Sequence, residues 1–145
     1  MNALSALAPG LADPSHDAQE LFRAIHDFLR FHAGAPIAPS REAACFAVLP
    51  GDASRALDGF ALGTDAYPDR SATLVIEVPD LRDGAATRWR GPGIDGHTSV
   101  AIAGLAEDFW HDWAANHGLF PCGVDLVFTA GTELCALPRS IAVEV

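Results

Sequence analysis

Apolar residues fall in two rhythms along this chain, and the change of rhythm marks where helix gives way to strand. Between Asp13 and Gly34, the residues Leu21, Phe22, Ile25, Phe28 and Leu29 recur at three- and four-residue spacing, the period of one helix face. Asp13 can cap the first free amides, and Pro14 suits the first helical position, where no donor is needed. The spacing predicts an amphipathic helix ending near Gly34 and Pro36. Residues 1–12 are small and apolar without a period and read as a loose arm.

Shorter runs follow. AACFAVL (43–49) reads as a buried strand, and PGDASRALDGFALG (50–63) as a short helix entered through Pro50 and capped by Asp52. GTDAYPDRS (63–71) reads as a turn-rich loop. ATLVIEVPDL (72–81) is the clearest strand, with Leu74, Val75, Ile76 and Val78 β-prone and Pro79 closing it. Asp83-Gly84 fits a hairpin turn leading into ATRWR.

Beyond the glycines at 91–96, SVAIAG (99–104) predicts a strand. LAEDFWHDWAANHG (105–118) predicts a helix with Leu105, Phe109 and Trp113 inward, Trp110 as a further candidate, and a stop at Gly118. VDLVFTA, the turn Gly131-Thr132 and ELCAL predict a hairpin, and SIAVEV (140–145) alternates as a last strand. Strands interspersed with helices predict an α/β fold, a layered sandwich with a mixed β-sheet flanked by helices, in one domain over 13–145.

Charge narrows the chemistry. The nine basic residues are all arginine against 19 acidic ones, for a net charge of -10, and lysine is absent. Without a primary amine on a side chain there is no Schiff base to pyridoxal phosphate, no Walker-type phosphate lysine and no lysine general base. So negative a field repels nucleic acid and anionic membranes, whose affinity rests on many cation–phosphate contacts. Cys45, Cys122 and Cys135 form no C-x-x-C pair, and their odd number makes a poor disulfide framework. The first residues carry no basic region ahead of a long apolar core, and no apolar run reaches membrane-spanning length. The reading is a reducing cytoplasm.

Gly91, Gly93 and Gly96 in WRGPGIDGHTSV match G-x-G-x-x-G. A dinucleotide loop of that form follows a buried parallel strand and opens a helix whose amides meet the pyrophosphate. Here a polar ATRWR precedes, a strand-like HTSVAIAG follows, and Pro92 removes an amide. Tight turns between two strands are the favoured reading, with a nucleotide loop as the alternative. The histidines show no two-ligand metal spacing: His111 and His117 fall on different faces of their helix, and His16 and His26 lie nearly three turns apart. Cys122 lacks the helix N-terminus or paired histidine that would activate it, and reads as a small filler beside a turn. Glu107, Asp108 and Asp112 read as solvated charge. Trp89, Trp110 and Trp113 read as core or interface.

Taken in order, HDAQELFRAI (16–25), LRFHAGAPI (29–37), YPDRSATLVIEV (67–78), RGPGI (90–94), FPCGVDLVF (120–128) and LPRSIAVEV (137–145) resemble the PhnH family of the bacterial carbon–phosphorus lyase system. The resemblance implies a fold similar to pyridoxal phosphate transferases without their cofactor site, a homodimer in isolation, and association with subunits of the PhnG, PhnI and PhnJ types. It also implies a place in the step that exchanges the adenine of ATP for a phosphonate at the ribose carbon, as an accessory, non-catalytic subunit. It brings no catalytic residue, cofactor or metal. The positions expected to touch a ligand or partner are Arg90 with Gly91 and Gly93, and Arg139 after Pro138. Two features depart from the family pattern: a few dozen residues are missing between the first helix and LRFH, and Cys122 stands where an apolar residue such as leucine is usual. The alternatives are a stand-alone nucleotide-binding enzyme using the Gly91–Gly96 loop, or a small homodimeric binding protein.

Overall fold

In the computed structural model, which describes residues 4–5, 16–53 and 55–145 and side chains from Arg23 onward, the chain begins β1 (Leu4–Ser5), α1 (His16–Ala33), β2 (Ile37–Ala38), β3 (Phe46–Pro50), β4 (Leu62–Thr64), β5 (Tyr67–Ser71) and β6 (Thr73–Glu77). It continues β7 (Ala86–Arg90), β8 (Thr98–Ala101), α2 (Phe109–His117), β9 (Asp125–Ala130), β10 (Glu133–Leu137) and β11 (Ala142–Glu144).

The β-branched and apolar runs do what their composition demands. Strands β3, β6 and β9 carry apolar residues on both faces, as parallel strands do, and pair in parallel. The six-stranded sheet has the order β10-β9-β6-β3-β1-β2, with only β10 antiparallel. Register aligns Leu49, Ile76 and Phe128 on one face and Val48, Val75 and Val127 on the other. The first face holds the core: Leu49, Leu74, Ile76, Leu126, Phe128 and Leu137 are buried, against Phe109 and Trp113 of α2 and against Ala53, Ala56, Leu57 and Phe60. The rings of Phe109 and Phe128 lie 5.8 Å apart.

A second sheet, β11-β7-β8, is antiparallel throughout and turns Trp89 and Thr87 inward. Its buried polar groups are satisfied locally: Trp89 Nε1 donates to Thr87 Oγ1 at 2.9 Å, and that hydroxyl donates to the Val100 carbonyl at 2.8 Å. Trp113 Nε1 donates to Ile141 O at 3.2 Å, joining α2 to the chain just before β11. The mixed sheet, the α1 span from His16, β6, α2, the β9–β10 hairpin and the last strand follow the sequence pattern. The expected caps Asp13 and Pro14 lie outside the described residues, as do the side chains of Leu21 and Phe22.

Several expectations are corrected. Where a helix was expected over 50–63, Pro50 ends β3 and residues 51–61 form turns among the described residues, because the backbone reverses at Arg55 (φ 52°) and Gly59 (φ 78°). The expected loop at 63–71 is the hairpin β4–β5, where Pro68 is tolerated in a sheet of two strands. Asp83-Gly84 does not make a hairpin, since β6 and β7 belong to different sheets. Gly84 instead passes so close to Ile102 that an added methyl would lie 2.1 Å from its carbonyl oxygen. Within the presumed N-terminal arm, Leu4–Ser5 forms a strand between β2 and β3. Phe28 of α1 points outward, 61% exposed, as does Phe31 at 83%. Helix α2 starts at Phe109, four residues after Leu105.

Candidate functional site

The glycine segment joins two antiparallel neighbours, β7 and β8, so a strand and not a helix follows it. That overturns the nucleotide loop: no helix N-terminus stands behind these glycines to meet a pyrophosphate. Ile94 N donates to Gly91 O at 3.1 Å across Pro92 and Gly93, and Gly93 has φ 84°. Proline second and a left-handed glycine third is the composition of a type II turn, which accounts for Gly93. At Gly91 an added methyl would lie 2.5 Å from Ile141 Cδ1, so this glycine admits the chain ahead of β11.

Arg88 and Arg90 leave β7 on its solvent face and share one carboxylate, Glu144 of β11, at 3.7 and 3.6 Å. All three side chains are about half exposed, and His97 and Ser99 border the same shallow surface as Arg88 and Glu144. The two guanidiniums outnumber this counter-ion, and Asp95 lies within the turn itself. Arg90, Gly91 and Gly93 are therefore adjacent, as their order in the chain requires.

Arg139 sits elsewhere, only 14% exposed. Its Nε donates to Asp125 Oδ1 at 3.1 Å, its Nη2 pairs with Asp125 Oδ2, and its Nη1 donates to Pro68 O at 2.8 Å. Its backbone amide donates to Asp125 Oδ1 at 2.8 Å, and its carbonyl lies 2.8 Å from His117 Nδ1. The side chain thus ties β9 to β5, and the backbone of the same residue joins the C-terminus of α2 to them. Burial alone would raise the Asp125 carboxyl, but the hydrogen bonds and charge of Arg139 outweigh it and hold the group below its ordinary value. Asp125 drew no attention in the sequence, because its partner lies on another strand.

The remaining candidates are structural in geometry. Trp89 and Trp113 are buried and Trp110 is half-buried against the core, so the tryptophans are packing groups rather than an exposed aromatic surface. Cys122 is half-buried, with Sγ 3.8 Å from Asp65 Oδ1. Burial pushes the Cys135 thiol up, away from the thiolate. No group of three or more His, Cys, Asp or Glu side chains is arranged to hold a metal ion among the described residues. No described helix is long and apolar enough to cross a membrane. Two buried polar residues carry no signal in the sequence, Thr87 and Asn116: Asn116 Nδ2 donates to Val124 O at 3.0 Å while its Oδ1 accepts from Val124 N at 2.8 Å. In the sequence Asn116 looks like any polar helix residue.

Comparison with known proteins decides what this arrangement belongs to. The model of a family described as bacterial phosphonate metabolism protein (PhnH) matches residues 24–144. The chain belongs to the PhnH family. Its similarity extends to the alpha-D-ribose 1-methylphosphonate 5-triphosphate synthase subunit PhnH of Rhizobium meliloti (strain 1021), 43% identical over 118 residues, 81% of this chain and 59% of that protein. It extends also to the putative C-P lyase subunit protein HtxG of Stutzerimonas stutzeri, 33% identical over 79 residues, 54% of this chain and 40% of that one. The chain thus spans about half the length of these relatives. Both are described as subunits.

Proposed function

We propose that this chain is an accessory subunit of a carbon–phosphorus lyase core complex in organic phosphonate catabolism, supporting formation of a ribose 1-phosphonate 5-triphosphate from ATP and a phosphonate. The observation that carries the reading is the 43% identity to a protein named as a subunit of such a synthase. Geometry supports the accessory role. A triphosphate and a phosphonate together need several converging cations or a metal ion, whereas Arg139 is occupied by Asp125 and Arg88 and Arg90 share Glu144. The reading includes subunits of the PhnG, PhnI and PhnJ types as partners, a homodimer in isolation, and a cytoplasmic setting. It includes the 13–145 domain and the likeness to pyridoxal phosphate transferases without their cofactor, which the absence of lysine supports.

Co-expression with three such subunits, followed by affinity purification and mass determination, tests it. Stoichiometric co-elution is expected; partners that assemble and act without this chain overturn it. Within the complex, Arg90 beside Gly91 and Gly93 is the contact expected to matter for a ligand or partner, and Arg139 the one expected to act through the fold. Arg90→Ala that leaves both assembly and activity unchanged removes the contact.

A further inference from the structure

Strand β10 ends the six-stranded sheet on one side, and its outer edge is open. The opposite end of the sheet is β2, two residues long and too short to offer a ladder. Strand β10 runs five residues in unbroken register with β9. The turn between them is Gly131-Thr132, and across so short a turn the flanking residues, Ala130 and Glu133, exchange both backbone bonds. Alternation along the strand then aims the backbone groups of Glu133, Cys135 and Leu137 at β9 and those of Leu134 and Ala136 at the open edge. No described backbone group pairs with Leu134 or Ala136 on that side.

Native sheets blunt such an edge with lysine, proline, a bulge or an inward charge. Within β10 the only charged residue is Glu133, at its first position, and Arg82 pairs with it. On a chain of net charge -10, this strand is therefore a place where a second copy meets little repulsion. Leu134 is 70% exposed with Ala136 exposed on the same face, and Cys135 is half-buried on the other. The strand also suits pairing with itself. When two copies run antiparallel about a twofold axis at Cys135, Leu134 of each lies opposite Ala136 of the other, and the outward N–H and C=O groups of both residues all find partners. An axis at Leu134 sets Ala136 against the turn residue Thr132. An axis at Ala136 sets Leu134 against Pro138, which has no N–H to give.

We infer that β10 pairs antiparallel with β10 of a second copy, continuing the six-stranded sheet across a twofold axis at Cys135. The exposed leucine of each copy then packs against the alanine of the other. The two Cys135 residues face each other in a non-hydrogen-bonded pair, where Cα atoms approach to about 4.5 Å, within reach of a disulfide. This names the interface of the homodimer proposed above and rests on that reading, not on the phosphonate chemistry.

The full chain is measured by size-exclusion chromatography with light scattering and, in parallel, treated with copper(II)–phenanthroline, which oxidises facing thiols to a disulfide. The expected result is a dimer with a Cys135–Cys135 cross-link, located by mass spectrometry of the digest and absent from Cys135→Ser, which keeps Cys45 and Cys122. Leu134→Lys, the residue type that guards natural edges, should weaken the dimer roughly tenfold or more and abolish the cross-link. Ala136→Pro should do the same, because it removes an N–H that β9 does not use. Circular dichroism checks that both variants keep the fold. A dimer that gives no Cys135 cross-link, or that both variants leave intact, keeps the homodimer and overturns this interface. A monomer at every concentration overturns both. A Cys135 cross-link that forms only to a co-expressed lyase subunit assigns the edge to another chain and also overturns the inference.

Discussion

The two faces of the six-stranded sheet are built from similar residues and end in different environments. On one, Leu49, Ile76 and Phe128 lie in register and are buried under α2 and the turns after β3. On the other, Val48, Val75 and Val127 lie in register and are only half-buried, with Leu134 of β10 70% exposed. Parallel sheets are normally covered on both sides, so composition alone does not distinguish these faces; the connections do. The segments from β3 to β6 and from β6 to β9 supply buried side chains to the first face. The second face is held at its rim by one polar device, Asp125 with Arg139.

Substitutions on β9 separate the faces within a single strand. Phe128→Ala should cost about 3–5 kcal/mol in denaturant unfolding, because it leaves a cavity among groups that cannot collapse into it. Asp125→Asn should cost about 2–4 kcal/mol, since it strands a largely buried guanidinium. That change also alters the pH dependence. The folded carboxyl lies below its unfolded value, so its contribution is complete above the unfolded value and is lost as pH falls through the folded one. Wild type should therefore lose stability more steeply than Asp125→Asn on acidification below about pH 4, followed by thermal melts. Val127→Ala should cost about 1 kcal/mol, given partial burial. A loss as large as that of Phe128→Ala would mean that the second face is as fully packed as the first. Leu134→Ser should stay within about 0.5 kcal/mol while raising solubility, measured by static light scattering.

The same contrast explains what could be read from the sequence. Strands β6 and β9 and helix α2 were legible because their apolar periods coincide with their burial, and the hairpin after Ala130 because Gly131 marks its turn. The helix expected over 50–63 was not: Pro50 and Asp52 suggest a helix start, but backbone reversals at Arg55 and Gly59 override it while keeping Ala53, Ala56 and Leu57 buried. Hairpin β4–β5 was hidden because Pro68, Asp69 and Arg70 are poor strand formers, acceptable only where each strand has one partner. The division into three sheets has no local signal. At the candidate site, the glycine pattern was correctly doubted from Pro92 and the strand-like run after it. Arg139 was noticed, but its role depends on Asp125, Pro68 and His117, which come together only in three dimensions.

The order of the central sheet also sets the order in which it can assemble. Strand β9 meets β10 across Gly131-Thr132, and β7 meets β8 across the 91–97 turn. Neither pairing requires distant parts of the chain to find each other. Strand β6 has no such neighbour: β3 reaches it only across the turns and the β4–β5 hairpin, and β9 only across a second sheet and a helix. The entropy of closing those long loops is lost before the parallel ladder returns any contact. The hairpins therefore form early and the ladder late. Until it closes, Leu74, Val75 and Ile76 are bare on both sides, so the interval most exposed to aggregation is the capture of one five-residue strand.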